Sequence, residues 1–218
     1  MLEKPAFNRR DLSRLSGEER KNYLANLLRL VPSPIHSNTK PIIAAFMKNR
    51  SLNTAAKVLN DTGVVVNKIA QIFRAHGADH RGITNGLNAA GFGNEDIARG
   101  LKSAGFDYED ITSGLKSAGF GHEDIARGLI SAGFGEDTIA SGLKFAGFGN
   151  EDIAVGLFAA GFSHVGVASG LKAVGYNHVD VARGLIAAGY GPKDVARGLI
   201  DAGFSPERVV LGLKFAGV

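Results

Sequence analysis

Residues 91–104 read GFGNEDIARGLKSA, and Gly105-Phe106 begins the phrase again. Glycines at 77, 91, 105, 119, 133, 147, 161, 175, 189, 203 and 217 stand 14 residues apart. Ten full units therefore run from Gly77 to Ala216, with the start of an eleventh behind them. Numbered from its glycine, a unit spells G-F-x-x-E-D-I-A-R-G-L-K-x-A. Position three carries helix-capping residues (Asp107, Ser163, Asn177, Ser205), position four is proline in Pro192 and Pro206, and position six is commonly aspartate. An N-cap, a proline at the first helical position and an acid in the first turn all mark a helix start. The next glycine supplies a left-handed C′ residue and its Phe or Tyr the apolar C″ residue, which packs back on C3, as Phe106 on Leu101 or Phe120 on Leu115. Each unit is thus a helix of about eleven residues and a three-residue corner.

Positions seven, eight, eleven and fourteen (Ile97, Ala98, Leu101, Ala104) share one apolar face, and positions five, nine and twelve (Glu95, Arg99, Lys102) form the polar stripe. A glycine at position ten lies inside every helix, where it costs about 1 kcal/mol relative to alanine. With the alanine at fourteen it forms a notch at which helices are expected to cross closely. One such helix cannot bury its stripe alone, so the fold class is all-α, a superhelical solenoid of single-helix repeats. Position twelve alternates through Lys116, Ile130, Lys144, Phe158, Lys172 and Ile186, which hints at 28-residue helix pairs, although Ile200 breaks the alternation.

The organisation read from the chain is an N-terminal helix and Pro/Ser linker (1–47), a basic segment of degenerate capping repeats (48–76), and the array (77–218). Ser16-Gly-Glu-Glu19 is a capping box that opens a helix through about Leu30, and VPSPIHSNTKP (31–41) is the linker. Residues 51–77 support two readings. In the repeat register Gly63 is a corner, Ile69-Ala70 and Ala55-Ala56 take positions seven and eight, and Phe73 and Leu59 take eleven. The same residues resemble a helix-turn-helix with Thr62-Gly63-Val64 as the turn, although Leu59 stands where that motif usually has a small residue.

Charge divides the chain. Residues 1–76 hold 13 Lys/Arg against 5 Asp/Glu, and residues 77–218 hold 12 against 16. Arg50, Lys57, Lys68 and Arg74 lie in the basic part without enough acids to pair, and they are candidates for nucleic acid or an acidic partner. Arg99, Arg127, Arg183 and Arg197 recur at position nine; they would make a phosphate ridge, or pair with acids three or four residues earlier. The second account is preferred because acids outnumber bases in the array. Backbone amides at the GFGNED corners could cradle phosphate, but the two carboxylates that follow would repel it.

His122, His164 and His178 recur at position four without companion ligands, so they read as first-turn surface residues and no metal site is expected. No cofactor is expected either. No Ser/His/Asp or paired-carboxylate arrangement stands out, so the chain reads as non-enzymatic, without a small-molecule substrate. It holds no cysteine, which excludes disulfides and thiolate zinc. The N-terminus lacks a secretory signal. Ile153–Leu171 has no charged residue and nears membrane-spanning length, yet it keeps the repeat register, so a buried pair of units is expected. A soluble protein follows, cytoplasmic or exported by a signal-independent route. The final unit, ending at Val218, reads as uncapped, which suggests a shortened chain or a further partner.

FSPERVV (204–210) is similar to the start of TAL-effector repeats, and GFGNEDIA and GFGHEDIA resemble the opening of mitochondrial termination-factor repeats, over about seven residues per unit. The resemblance implies a helical-repeat nucleic-acid binder. In TAL-effector repeats the residues at the end of the first helix face the bases. Their counterparts by position are Ser103-Ala104, Ser117-Ala118, Phe145-Ala146 and Asp201-Ala202, so Ser103, Ser117, Ser131, Phe145 and Asp201 at position thirteen are candidate recognition residues. The leading expectation is nucleic-acid (DNA) binding through residues 48–76, extended along the array. The alternative is a protein–protein interaction scaffold, secreted or host-directed.

Overall fold

The computed structural model describes residues 51–61 and 63–218. The capping box at Ser16, the 31–41 linker, Arg50 and Thr62 lie outside the described residues. Twelve α-helices follow one another among them: α1 (Leu52–Asp61), α2 (Val66–Ala75), α3 (His80–Ala89), α4 (Asn94–Ser103), α5 (Tyr108–Ser117), α6 (His122–Ser131), α7 (Glu136–Phe145), α8 (Asn150–Ala159), α9 (His164–Ala173), α10 (His178–Ala187), α11 (Pro192–Asp201) and α12 (Pro206–Ala216). The uncharged run at 153–171 is divided between α8 and α9 by the corner at Gly161. No helix among the described residues is long and apolar enough to cross a membrane.

The corners follow the sequence logic closely. Gly105 has φ +84°, its N–H donates to the Lys102 carbonyl (2.8 Å), and the Phe106 N–H donates to the Leu101 carbonyl (3.1 Å). That is the Schellman pattern, and it ends each internal helix at ten residues, because the position-fourteen residue is already the C-cap. The starts are less uniform. Asp79, Asp107 and Asn177 accept hydrogen bonds from first-turn amides, whereas Ser163 and Ser205 make no side-chain cap bond.

Each helix packs most extensively on the helix two places along the chain rather than on its immediate neighbour. The helices therefore form two rows, an odd row (α1, α3 to α11) and an even row (α2, α4 to α12), and the 28-residue pair is the structural period. Gly128 shows why. A Cβ there would lie 3.1 Å from the Asn94 carbonyl oxygen, two units back, and 3.2 Å from Leu115 of the preceding helix. The notch thus receives the first turn of the helix below in the same row, and a Cβ there would force that turn or Leu115 to give way.

Between the rows runs one continuous core of residues at positions seven, eight and eleven, including Ile97, Leu101, Ile125, Leu129, Ile139 and Leu143, all with no exposed surface. Each of these large side chains contributes about 1.5–3 kcal/mol on burial. Thr84 and Thr112 replace alanine at position eight and are fully buried. Their hydroxyls donate to the His80 and Tyr108 carbonyls one turn earlier, so neither is left unpaired. Helices α1 and α2 share this register, with Ala55, Ala56, Leu59, Ile69, Ala70 and Phe73 buried in the same core. The helix that the helix-turn-helix reading assigns to recognition, α2, lays Val66 and Ala70 against Gly100 of α4.

Candidate recognition surface

Position twelve is where the two rows differ in chemistry. Wherever it is lysine with a helix to follow in its row, the side chain reaches that next helix. Lys102, Lys116, Lys144 and Lys172 donate to the position-fourteen carbonyls of Ala132, Ala146, Val174 and Ala202. Their ammonium groups also stand 4.1–5.0 Å from the ring centres of Phe134, Phe148, Tyr176 and Phe204. A cation on the carbonyl end of a helix and over an aromatic face is favourable on both counts. Asn60 makes the same reach to the Ala90 carbonyl (3.1 Å), and the Arg74 guanidinium lies 4.1 Å from the Phe106 ring centre. Arg74 therefore serves the stacking of α2 on α4. Lys144→Met is expected to lower stability by about 1 kcal/mol in urea unfolding, since it removes one such exposed cap.

On the even row this series is interrupted. Ile130 of α6, Phe158 of α8 and Ile186 of α10 occupy position twelve on three successively stacked helices. Phe158 is 50% exposed and Ile186 36%, while Ile130 is half-buried. Phe158 meets the edge of Tyr190 with ring centres 5.4 Å apart, the place that lysine takes elsewhere. Val155 and Ala159 of α8 extend the apolar line. Beside Ile130 lies an open groove of about 400 Å³, lined by Glu95, Arg127, Ile130, Ser131, Ala159 and Ala160.

The arginines do not form one ridge. Arg99, Arg127 and Arg183 stand on the even row, whereas Arg197 is on α11 of the odd row. Arg99 pairs with Asp96 (2.6 Å) and Glu95 (3.9 Å), and Arg127 with Glu123 (3.1 Å) and Asp124 (3.5 Å). Arg197 turns the other way, to Asp201 at 3.8 Å rather than to Asp194, and Arg183 has no ion pair among the described residues. Lys57 is exposed and Lys68 half-buried, and neither has an ion pair among the described residues. Position thirteen is split as well. Ser103 and Ser131 lie on the even row, and Ser117, Phe145 and Asp201 on the odd row. Ser103 and Ser117 donate to the Gly100 and Gly114 carbonyls of their own helices, Ser131 receives Arg99, and Phe145 is 60% exposed.

The position-four histidines join stacked first turns and are not free surface groups. The His80 Nδ1 lies 3.1 Å from Asp110, that of His122 3.9 Å from Asp152, and all four histidines at this position (80, 122, 164, 178) stand edge-on to the aromatic ring of the next helix in their row. Asn94 and Asn150 use the same position to donate to the Asp124 and Asp180 carbonyls. No cluster of three metal-ligating side chains occurs among the described residues. This role was invisible in the one-dimensional pattern because the partners are 26 or 30 residues away.

Tyr190 adds a further tie between repeats, donating its hydroxyl to the Phe162 carbonyl at 2.8 Å. Burial first, then the charge of Asp194, holds this phenol above its ordinary value, and burial with Asp180 does the same for Tyr176. The folded state thus favours the neutral phenols. Their contribution is complete below the ordinary phenol value of about 10 and is lost as pH rises through the elevated folded value. Tyr190→Phe should cost about 1 kcal/mol at neutral pH and should lessen the fall of the melting temperature at alkaline pH. Comparison with protein-family models and with curated protein sequences returns no match.

Proposed function

We propose that the chain is a non-catalytic recognition scaffold that binds another protein along its even row. One observation carries this reading. Three consecutive helices of that row carry a half-buried Ile130 and the exposed Phe158 and Ile186 at the register where the flanking helices α2, α4 and α12 carry Arg74, Lys102 and Lys214. An exposed apolar line bordered by polar residues is the usual mark of a protein-contact surface. Stacked helices lie about 8–10 Å apart, close to the rise of seven helical residues at 1.5 Å each. A partner helix with heptad-spaced apolar residues would therefore meet the line in step.

A second reading, nucleic-acid binding through residues 48–76, is favoured by Lys57 and Lys68, which have no acidic partner among the described residues. The resemblance to TAL-effector repeats would extend it along position thirteen, but that position alternates between the two rows. Photo-crosslinking from position 158 in the full chain, with position 141 on the odd row as control, separates the two. Protein adducts specific to 158 and lost in Ile186→Asp are expected. Nucleic acid in the adducts, or equal labelling from both positions, would sink the protein-binding reading.

A further inference from the structure

The array contains its own examples of a ligand, and the end of α8 offers the same receptor without one. At the ends of α6, α7, α9 and α11 a lysine from the helix below rests on the position-fourteen carbonyl. There the Nζ lies 3.3–3.9 Å from where a Cβ on the corner glycine (Gly133, Gly147, Gly175, Gly203) would be. At the end of α8 the residue below is Ile130, which bears no donor. The Ala160 carbonyl accepts no hydrogen bond among the described residues, and a Cβ on Gly161 would meet no side chain within 4 Å. Ala160 lines the groove beside Ile130. At the end of α10, by contrast, Phe158 already covers Tyr190.

Charge favours a cation here. The charged residues that line the groove are Glu95 and Arg127, and the Arg127 guanidinium is already engaged by Glu123 and Asp124. The carbonyl end of α8 adds its partial negative charge beside Glu95.

We propose that this groove takes a lysine side chain of a partner protein. The ammonium group docks on the Ala160 and Gly161 carbonyls, and the methylene stem lies along Ile130 and Ala159. The inference rests on the protein-recognition reading and assigns the partner a lysine beside its apolar residues.

The test is an amide chemical-shift titration of the full chain with the peptide acetyl-Ala-Ala-Lys-Ala-Ala-amide and with its methionine counterpart. The lysine peptide should give saturable shifts at Ala160, Gly161 and Phe162 with a dissociation constant of about 1–10 mM, weakened by salt. The methionine peptide should not. Ile130→Lys, which fills the groove from within the chain, should abolish the shifts; Ile130→Met, which occludes it without charge, serves if that variant fails to fold. Equal shifts from both peptides, absence of shifts at these residues, or shifts that survive in the groove-filled variant would overturn the site. Protein adducts from position 158 together with no lysine-specific shift would remove this inference alone, leaving the protein-recognition reading in place. Lysine-specific shifts with nucleic-acid adducts would remove the broader reading and leave the groove a lysine site.

Discussion

Gly184→Ala is expected to destabilise the array by about 2 kcal/mol through overpacking, although alanine is the better helix former by about 1 kcal/mol. A Cβ there would lie 2.9 Å from Leu171 Cδ1, 3.0 Å from the Asn150 carbonyl oxygen and 3.1 Å from Ala154 Cβ. The obstruction includes backbone of α8, so α10 must lift away from the helix below it. Gly142 offers the contrast. Its nearest obstruction is the Thr112 hydroxyl at 2.7 Å, followed by Tyr108 and Leu129 at 3.4 and 3.5 Å, which is ordinary contact. Gly142→Ala alone should therefore destabilise, and adding Thr112→Ala should restore the parent stability or exceed it. Urea unfolding followed by circular dichroism reads all four proteins. A stabilised Gly184→Ala would mean that the notch is not a packing requirement.

Leu143→Ala should destabilise the array by about 3 kcal/mol. Leu143 is fully buried at the middle of the array, and its Cδ1 would lie 3.1 Å from a Cβ on Gly156 of the next helix. Its loss leaves a cavity that stacked helices on both sides cannot close. Because each repeat touches only its neighbours, the damage should be local. Hydrogen exchange should show lost protection in α5 to α9, with α2, α3 and α11 little changed. A uniform loss from α1 to α12 would contradict the view of the fold as a nearest-neighbour array.

Much of the candidate surface was readable from residues alone, and the limits have physical causes. The pairing of Arg99 with Glu95 and of Arg127 with Glu123 follows from helical spacing, and both pairs form. Arg197 departs from the same rule because Asp201 lies one turn ahead of it and competes with Asp194. The alternation at position twelve was visible, but the function of its lysines was not, since each acts on a carbonyl 30 residues further on. Arg74 shows the same limit: in sequence it is a base without a paired acid, and in space it lies over Phe106. The histidines read as surface groups until their aromatic partners in the next stacked helix came into view.

Every local element of the described array is determined by the short repeating phrase itself. The glycine–aromatic corner, the buried positions and the helix length are set by interactions within about five residues, such as the Phe106 amide on the Leu101 carbonyl. What the tertiary structure decided is which helix meets which. The position-ten notch accepts the first turn of the helix two units back, and that contact sorts a single run of near-identical units into two rows. Only after that sorting do Ile130, Phe158 and Ile186 become one line while Lys116, Lys144 and Lys172 become another. A pattern that repeats every 14 residues cannot distinguish alternate units by itself; the 28-residue packing period makes them different surfaces.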